Sequence, residues 1–180
     1  MKNEAKKLNI GCGKHPMKGY VNLDVVKLPN VDVVHNLDKF PWPFKDNSFE
    51  EIYCDNVLEH LSSIIKPVEE IWRISKNGGK VIIKVPIAPS IWAHVDPTHR
   101  QYFTYITFDY FRPNDGLNYY SHARFKILKR KIVFHSYFPF LNWFFNSSEK
   151  MQKFYTMFLY FMFPANSLYF ELQVLKNIKS

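Results

Sequence analysis

An α/β domain built on a mostly parallel, doubly wound sheet of about seven strands, the last of them antiparallel, is the architecture that the sequence predicts. Three observations predict it. Short apolar runs closed by glycine or polar residues recur along the first half, as buried parallel strands do. A segment of helical period lies between two of these runs. The 180 residues make one domain, which can bury roughly 70% of the surface that its unfolded chain exposes. We therefore expect a single domain over 1–180, with functionally distinct halves at 1–86 and 87–180.

The first four strands are read at Lys7–Ile10, Tyr20–Val25, Val31–His35 and Glu51–Cys54. Asn56 and Glu59 then have the spacing of a helix N-cap and its reciprocal partner, so a helix is expected to begin near Asn56 with Glu59 in a capping role. A second helix is expected over Ile64–Ser75, because Ile64, Val68, Ile71, Trp72 and Ile74 share a face and Pro67 suits a first turn. Asn77-Gly78-Gly79 stops it. Lys80–Pro86 is a β-branched strand ended by proline.

From Ile87 to Tyr105 runs an irregular stretch rich in His, Pro and aromatic residues, and long loops of this kind tend to carry function. A short helix is expected over Ile106–Phe111. Strands at Phe125–His135 and Leu168–Leu175 complete the sheet, with an aromatic helix between them starting near Ser147 or Ser148 and ending before Pro164. Residues 14–23 and 25–30 are too few for full crossover helices, so the first crossover helices are expected to be reduced and one sheet face thinly covered.

Cys12 and Cys54 are the only cysteines, and their isolated positions at strand ends read as reduced thiols in a cytoplasmic protein. The basic segment Met1–Lys7 lacks the apolar stretch of a secretion signal. Trp143–Phe145 and Met157–Phe163 fall well short of the ~20 apolar residues that span a bilayer, so no transmembrane segment is expected. The aromatic helix over 151–163 nevertheless carries more apolar residues than one helical face. It is either buried on both sides or exposes a patch for peripheral membrane contact or a partner. The formal net charge of +8 fits a solvated basic surface as well as an anionic partner.

In sheets of this kind ligands sit outside the carboxyl ends of the strands. Gly11 and Gly13 follow the first strand and let a ligand approach the backbone, while Asp24 ends the second, where a carboxylate can accept from two ribose hydroxyls. A dinucleotide fingerprint would need a third glycine where His15-Pro16 stands, and a P-loop would need Gly-Lys-Ser/Thr. The cofactor predicted by this pattern has a ribose but no pyrophosphate.

Six segments in order, Leu8–Gly13, Asn22–Asp24, Asn36–Asp38 followed by Phe40–Phe44, Asp46–Ile52, Val57–Leu61 and Gly78–Lys80, resemble those of a class I, Rossmann-like S-adenosylmethionine-dependent methyltransferase, a small type 11-like member. The resemblance covers about Leu8 to Pro86. It implies S-adenosyl-L-methionine as cofactor, with the turn Gly11-Cys12-Gly13 at its methionine and ribose portion, Asp24 on the ribose hydroxyls, Leu37 and Asp38 bordering the adenine, and Cys54 to Asn56 beside the methionine moiety. On that reading 1–86 is the cofactor-binding half and 87–180 the acceptor side. The short interval after Gly13 departs from the family pattern.

Methyl transfer asks a protein for positioning, and for a general base when the nucleophile is a hydroxyl. His60, His94, Asp96 and His99 are the candidates, His60 also as a shaper of the pocket, and the last three on the loop where an acceptor should enter. Their spacing is not the one-turn helical spacing of a metal site, so no metal is expected. By analogy the acceptor is small or carrier-linked, such as a sugar hydroxyl in glycan or polysaccharide synthesis. The rivals are an RNA or other nucleic acid methyltransferase, favoured by the basic run Lys126–Lys131 but lacking the Asn/Asp-Pro-Pro-Tyr/Phe signature, and a non-catalytic cofactor-binding partner subunit.

Overall fold

The computed structural model describes residues 7–113 and 118–176, so the outermost parts of the expected domain, 1–6 and 177–180, lie outside the described residues. Seven strands form one sheet: β1 (Lys7–Ile10), β2 (Tyr20–Asp24), β3 (Val33–Val34), β4 (Phe49–Asp55), β5 (Ser75–Pro86), β6 (Phe125–Val133) and β7 (Ser167–Val174). Their order is β3-β2-β1-β4-β5-β7-β6. Neighbours from β3 to β5 pair in parallel. β7 runs antiparallel to both β5 and β6, as expected of the last strand.

The first crossovers contain no helix at all among the described residues. A buried polar knot holds the turn after β1 in its place. Asn9 donates to Asn22 Oδ1 at 3.1 Å and to the His15 carbonyl at 3.3 Å. Asn22 Oδ1 also accepts from Met17 N–H, and Asp32 accepts from Asn22 N–H at 2.7 Å. Satisfied buried amides of this kind fix a loop where no helix packs, because leaving any one of them unpaired is costly.

Helix α1 (Ile65–Ile74) buries Pro67, Val68, Ile71 and Ile74, close to the expected face and span. It ends at Ser75, whose hydroxyl bonds the Ile71 carbonyl, and Asn77-Gly78-Gly79 lies in a bulge where pairing jumps from Phe49↔Ser75 to Glu51↔Lys80. The helix expected from Asn56 is instead a single 3-10 turn, Leu58–His60. Asn56 stands at φ 53°, a left-handed conformation that an N-cap does not adopt. Its side chain bonds Asp55 rather than a helix N-terminus.

Beyond β5 come the short helix α2 (Ile91–His94) and a 3-10 turn at Thr107–Phe111, the latter close to the expected short helix. The aromatic helix is preceded by a second one. Helix α3 (Pro139–Phe145) was not anticipated, and α4 (Glu149–Phe154) starts at the expected cap, Ser148, which accepts from Met151 N–H before the chain continues as a π turn over Tyr155–Leu159. Phe103, Phe108, Phe111, Phe125, Phe134, Phe145, Tyr155 and Phe170 are buried and carry the core of this half. No described helix is long and apolar enough to cross a membrane.

Candidate active site

The carboxyl ends of β1 and β2 meet through backbone hydrogen bonds. Cys12 N–H donates to the Leu23 carbonyl at 3.0 Å, and Gly13 N–H donates to Asp24 Oδ2 at 2.8 Å, while Val26 N–H holds Asp24 Oδ1 at 3.0 Å. Two amides thus fix the carboxylate and leave each oxygen a further lone pair. Gly11 and Gly13 stand at φ 62° and 49°. A Cβ on Gly11 would lie 2.3 Å from Val57, whereas one on Gly13 would meet no atom within 4 Å. The turn is closed beneath Gly11 and open above Gly13, the shape of a cradle for a ligand backed by protein on one side.

Leu37 is buried and its carbonyl accepts from the Trp42 indole N–H at 3.0 Å. Asp38 Oδ1 accepts from the Ser62 amide at 3.0 Å and its hydroxyl at 2.8 Å, which ties this rim to the chain just after the 3-10 turn. Cys54 is fully buried, and burial pushes its thiol far above the usual range. Two residues on, Asn56 is exposed and open to a ligand. Cys12 is also buried and raised, by burial first and by Asp24 second. Both cysteines are free.

Beside Asn56 lies a cavity of about 380 Å³, lined among others by Glu59, His60, Trp92, Asp96 and His99. Residues far apart in sequence meet there because backbone staples bring them together. The Glu59 carbonyl accepts from Arg100 N–H at 2.7 Å and Gln101 N–H at 3.0 Å, and the Gln101 amide bonds the Leu61 and Ser62 carbonyls. The His60 and His99 rings consequently sit edge to face, 4.7 Å between centroids.

Each imidazole has its Nδ1 committed. His99 Nδ1 lies 3.1 Å from the Ala93 carbonyl, which can only accept, so this nitrogen carries the proton. Thr98 gives its hydroxyl proton to Asp96 at 2.7 Å and accepts from His60 Nδ1 at 2.8 Å. Both rings keep a free Nε2 lone pair. Burial, then His99, lowers the His60 pKa. The Thr98 hydroxyl and amide keep Asp96 below the ordinary carboxylate range.

Of the four catalytic candidates the structure brings His60, Asp96 and His99 together. His94 is exposed, its ring tilted against Tyr102 with 5.0 Å between centroids, and does not line the cavity. The expected capping role of Glu59 is overturned. Glu59 is fully buried, and neither carboxylate oxygen has a hydrogen-bond partner. Burial raises its pKa to about 7. The sequence signal that could have found it was its adjacency to His60; the capping pattern masked it.

Comparisons with known proteins bear on the fold. Residues 15–83 match the family model described as a methyltransferase domain. A 43-residue stretch, 24% of the chain, is 54% identical to an uncharacterised protein of Methanocaldococcus jannaschii, MJ0638, and spans only 19% of that protein. A SAM-dependent methyltransferase from Archaeoglobus fulgidus superimposes with a TM-score of 0.62 at 13% identity, over 96% of this chain and 87% of that one. The YcgJ protein from Bacillus subtilis superimposes with a TM-score of 0.61 at 14% identity, over 97% and 93%. Phosphoethanolamine N-methyltransferase 2 from Haemonchus contortus, solved with S-adenosyl-L-methionine, superimposes at 0.54 and 14% identity, over 98% of this chain and 50% of that one. The chain thus carries a methyltransferase-domain match over residues 15–83 on a seven-stranded sheet that shares the fold of these neighbours.

Proposed function

We propose that the chain transfers a methyl group from S-adenosylmethionine to an oxygen of a small or carrier-linked acceptor held in the cavity beside Asn56. The observation that carries this reading is the continuity of two sites. The open turn at Gly13 with its fixed Asp24 lies at one set of strand ends, and the polar cavity of Glu59, His60 and His99 begins where Asn56 leaves β4. Asp24 would take the ribose hydroxyls, Asp38 the adenine edge, and the open backbone of Gly13 the amino-acid portion. When bound, the cofactor supplies a methyl group on a positively charged sulfur. The chain's own residues orient the acceptor and receive its proton, and the free Nε2 lone pairs of His60 and His99 are the groups able to do so.

Titration calorimetry with S-adenosylmethionine tests the reading. Binding with a Kd of about 100 μM or tighter, weakened at least about tenfold in Asp24→Ala, is expected; one bidentate ribose contact is worth that much. Absence of binding by the folded protein would favour the partner-subunit alternative.

Two features bear on the acceptor. Within the basic run, Arg130 is largely covered, paired with Asp109 and lying 4.3 Å from the Tyr105 ring centre, so the run presents less free charge to nucleic acid than its composition implies. The segment over 137–163 exposes Trp143, Met157, Phe158 and Phe161, and an apolar cleft of about 300 Å³ opens between Phe138, Phe140, Met162 and Phe163. Aromatic side chains in such number favour contact with a lipid surface, and a lipid-carried acceptor such as a glycan intermediate suits that contact.

A further inference from the structure

We propose that Glu59, His60 and His99 form a binding site for a single divalent transition-metal cation of the Zn²⁺ class. Each of the three offers a ligand atom, and these atoms lie within 4.8 Å of one another. Bonds to such a cation are about 2.0–2.2 Å long, which sets the ligand atoms roughly 3–4 Å apart, so small side-chain rotations complete the contact. Two imidazoles and one carboxylate are a donor set of borderline softness that suits Zn²⁺, Fe²⁺, Mn²⁺ or Co²⁺ better than Ca²⁺ or Mg²⁺.

The hydrogen bonding is what singles out these residues. The ring proton of His99 goes to the Ala93 carbonyl, and that of His60 to Thr98, itself anchored on Asp96. Metal-bound histidines are oriented in this way, with the second ring nitrogen donating to a carbonyl or, directly or through a relay, to a carboxylate. What remains is two nitrogen lone pairs and a carboxylate, all acceptors with no donor among them. Glu59 is 0% exposed, both its oxygens lack a partner, and it lines the cavity into which His60 and His99 also face. A buried carboxylate left in this state is strongly destabilising unless a cation or a proton satisfies it.

The site has room for more than three ligands. The cavity gives a cation access to solvent, so at least one coordination position stays open, as in catalytic rather than structural sites. Under the methyl-transfer reading an acceptor hydroxyl would fill that position; His60 and His99 would then act as ligands rather than bases, and the cation would make the hydroxyl proton easier to lose to solvent water. Only this last step rests on that reading. The metal site itself stands on the donor set.

The test uses the full chain, stripped with a chelator and without S-adenosylmethionine, so its outcome is separate from cofactor binding. Titration with Zn²⁺ against a chromophoric chelator is expected to show one equivalent bound, and Co²⁺ to give visible absorption bands of a nitrogen and oxygen site. His99→Ala and Glu59→Gln should each weaken binding by about 10–100-fold, and His94→Ala should leave it unchanged. Should Glu59→Gln fail to fold, His99→Ala and the Co²⁺ spectrum of the unaltered protein decide the matter. No stoichiometric binding by the folded protein, or equal binding by His99→Ala, overturns the proposal and assigns the three acceptors to a shared proton.

Discussion

The two halves of the molecule bury their chain by different means. In the first half, 7–86, turns stand where helices would be, and polar side chains secure them: Asn9, Asn22 and Asp32 in one knot, Glu70 and Arg73 in another. In the second half, aromatic residues fill the core and then overflow it, leaving Trp143, Met157, Phe158 and Phe161 more than 60% exposed. The difference teaches where each half is fragile. Geometry of single atoms decides the first, and apolar area the second.

The largest expected effect separates two glycines of one turn. Gly11→Ala would combine a left-handed φ of 62° with a Cβ 2.3 Å from a Val57 methyl, and strain plus overpacking should cost about 2–4 kcal/mol. Gly13→Ala shares the left-handed φ but meets nothing within 4 Å, so about 1 kcal/mol is expected. Denaturant unfolding measures both. Calorimetry should then show Gly13→Ala, still folded, binding S-adenosylmethionine at least about tenfold more weakly, because its Cβ enters the open side of the cradle. Equal losses of stability in the two variants would break the picture of a turn closed on one side only.

Next comes the second polar knot. Glu70 accepts from Trp42 N–H at 2.6 Å and from Arg73 Nε and Nη2 at 2.7 Å, and Arg73 in turn donates to the Trp42 and Phe44 carbonyls. Burial alone would raise the Glu70 pKa, but the Arg73 and Trp42 bonds outweigh it and the net shift is downward from 4.5. A depressed folded pKa means stability that is present above the unfolded value near 4.5 and lost as pH falls through the lower folded value. Glu70→Gln should therefore cost about 1–3 kcal/mol at neutral pH, and the gap from the unaltered protein should shrink below about pH 4.5. Thermal unfolding between pH 7 and pH 3 reads it; a gap that does not change with pH would remove the ionised pair from the account.

What could be read from the sequence follows the same division. Strands β1, β2, β4 and β5, helix α1 and the Ser148 cap are all short-range patterns of side-chain size and polarity, and each stands within a few residues of its expected place. The glycine turn and Asp24 were legible for the same reason, since a bond such as Gly13 N–H to Asp24 joins consecutive strand ends. The helix at Asn56 failed because a capping pattern presumes an extended cap residue, and here the chain reverses at a left-handed Asn56. The apposition of His60 and His99 could not be read at all. It is made by main-chain bonds from Arg100 and Gln101 to the Glu59 carbonyl, which no side-chain pattern encodes. Glu59 was hidden twice over, once by that fold-back and once by a plausible structural role.

The smallest effect on stability is expected where the second half is most apolar. Phe158, within the π turn that ends the aromatic helix, and Phe161, just beyond it, are 65% and 85% exposed. Replacing both by Ser should change unfolding free energy by no more than about 1 kcal/mol, since little buried surface is lost. Binding to vesicles is another matter, because a Phe side chain passing from water into an apolar phase gains about 1.5–3 kcal/mol. Partition of the chain onto vesicles of mixed zwitterionic and anionic phospholipid should then fall at least about tenfold in Phe158→Ser/Phe161→Ser, with its melting temperature nearly unchanged. A large drop in melting temperature would instead return these rings to the core. An unaltered protein that stays in solution beside such vesicles would leave the overflow of aromatic residues to a protein partner, and the contrast between the halves would become one of assembly rather than of membrane contact.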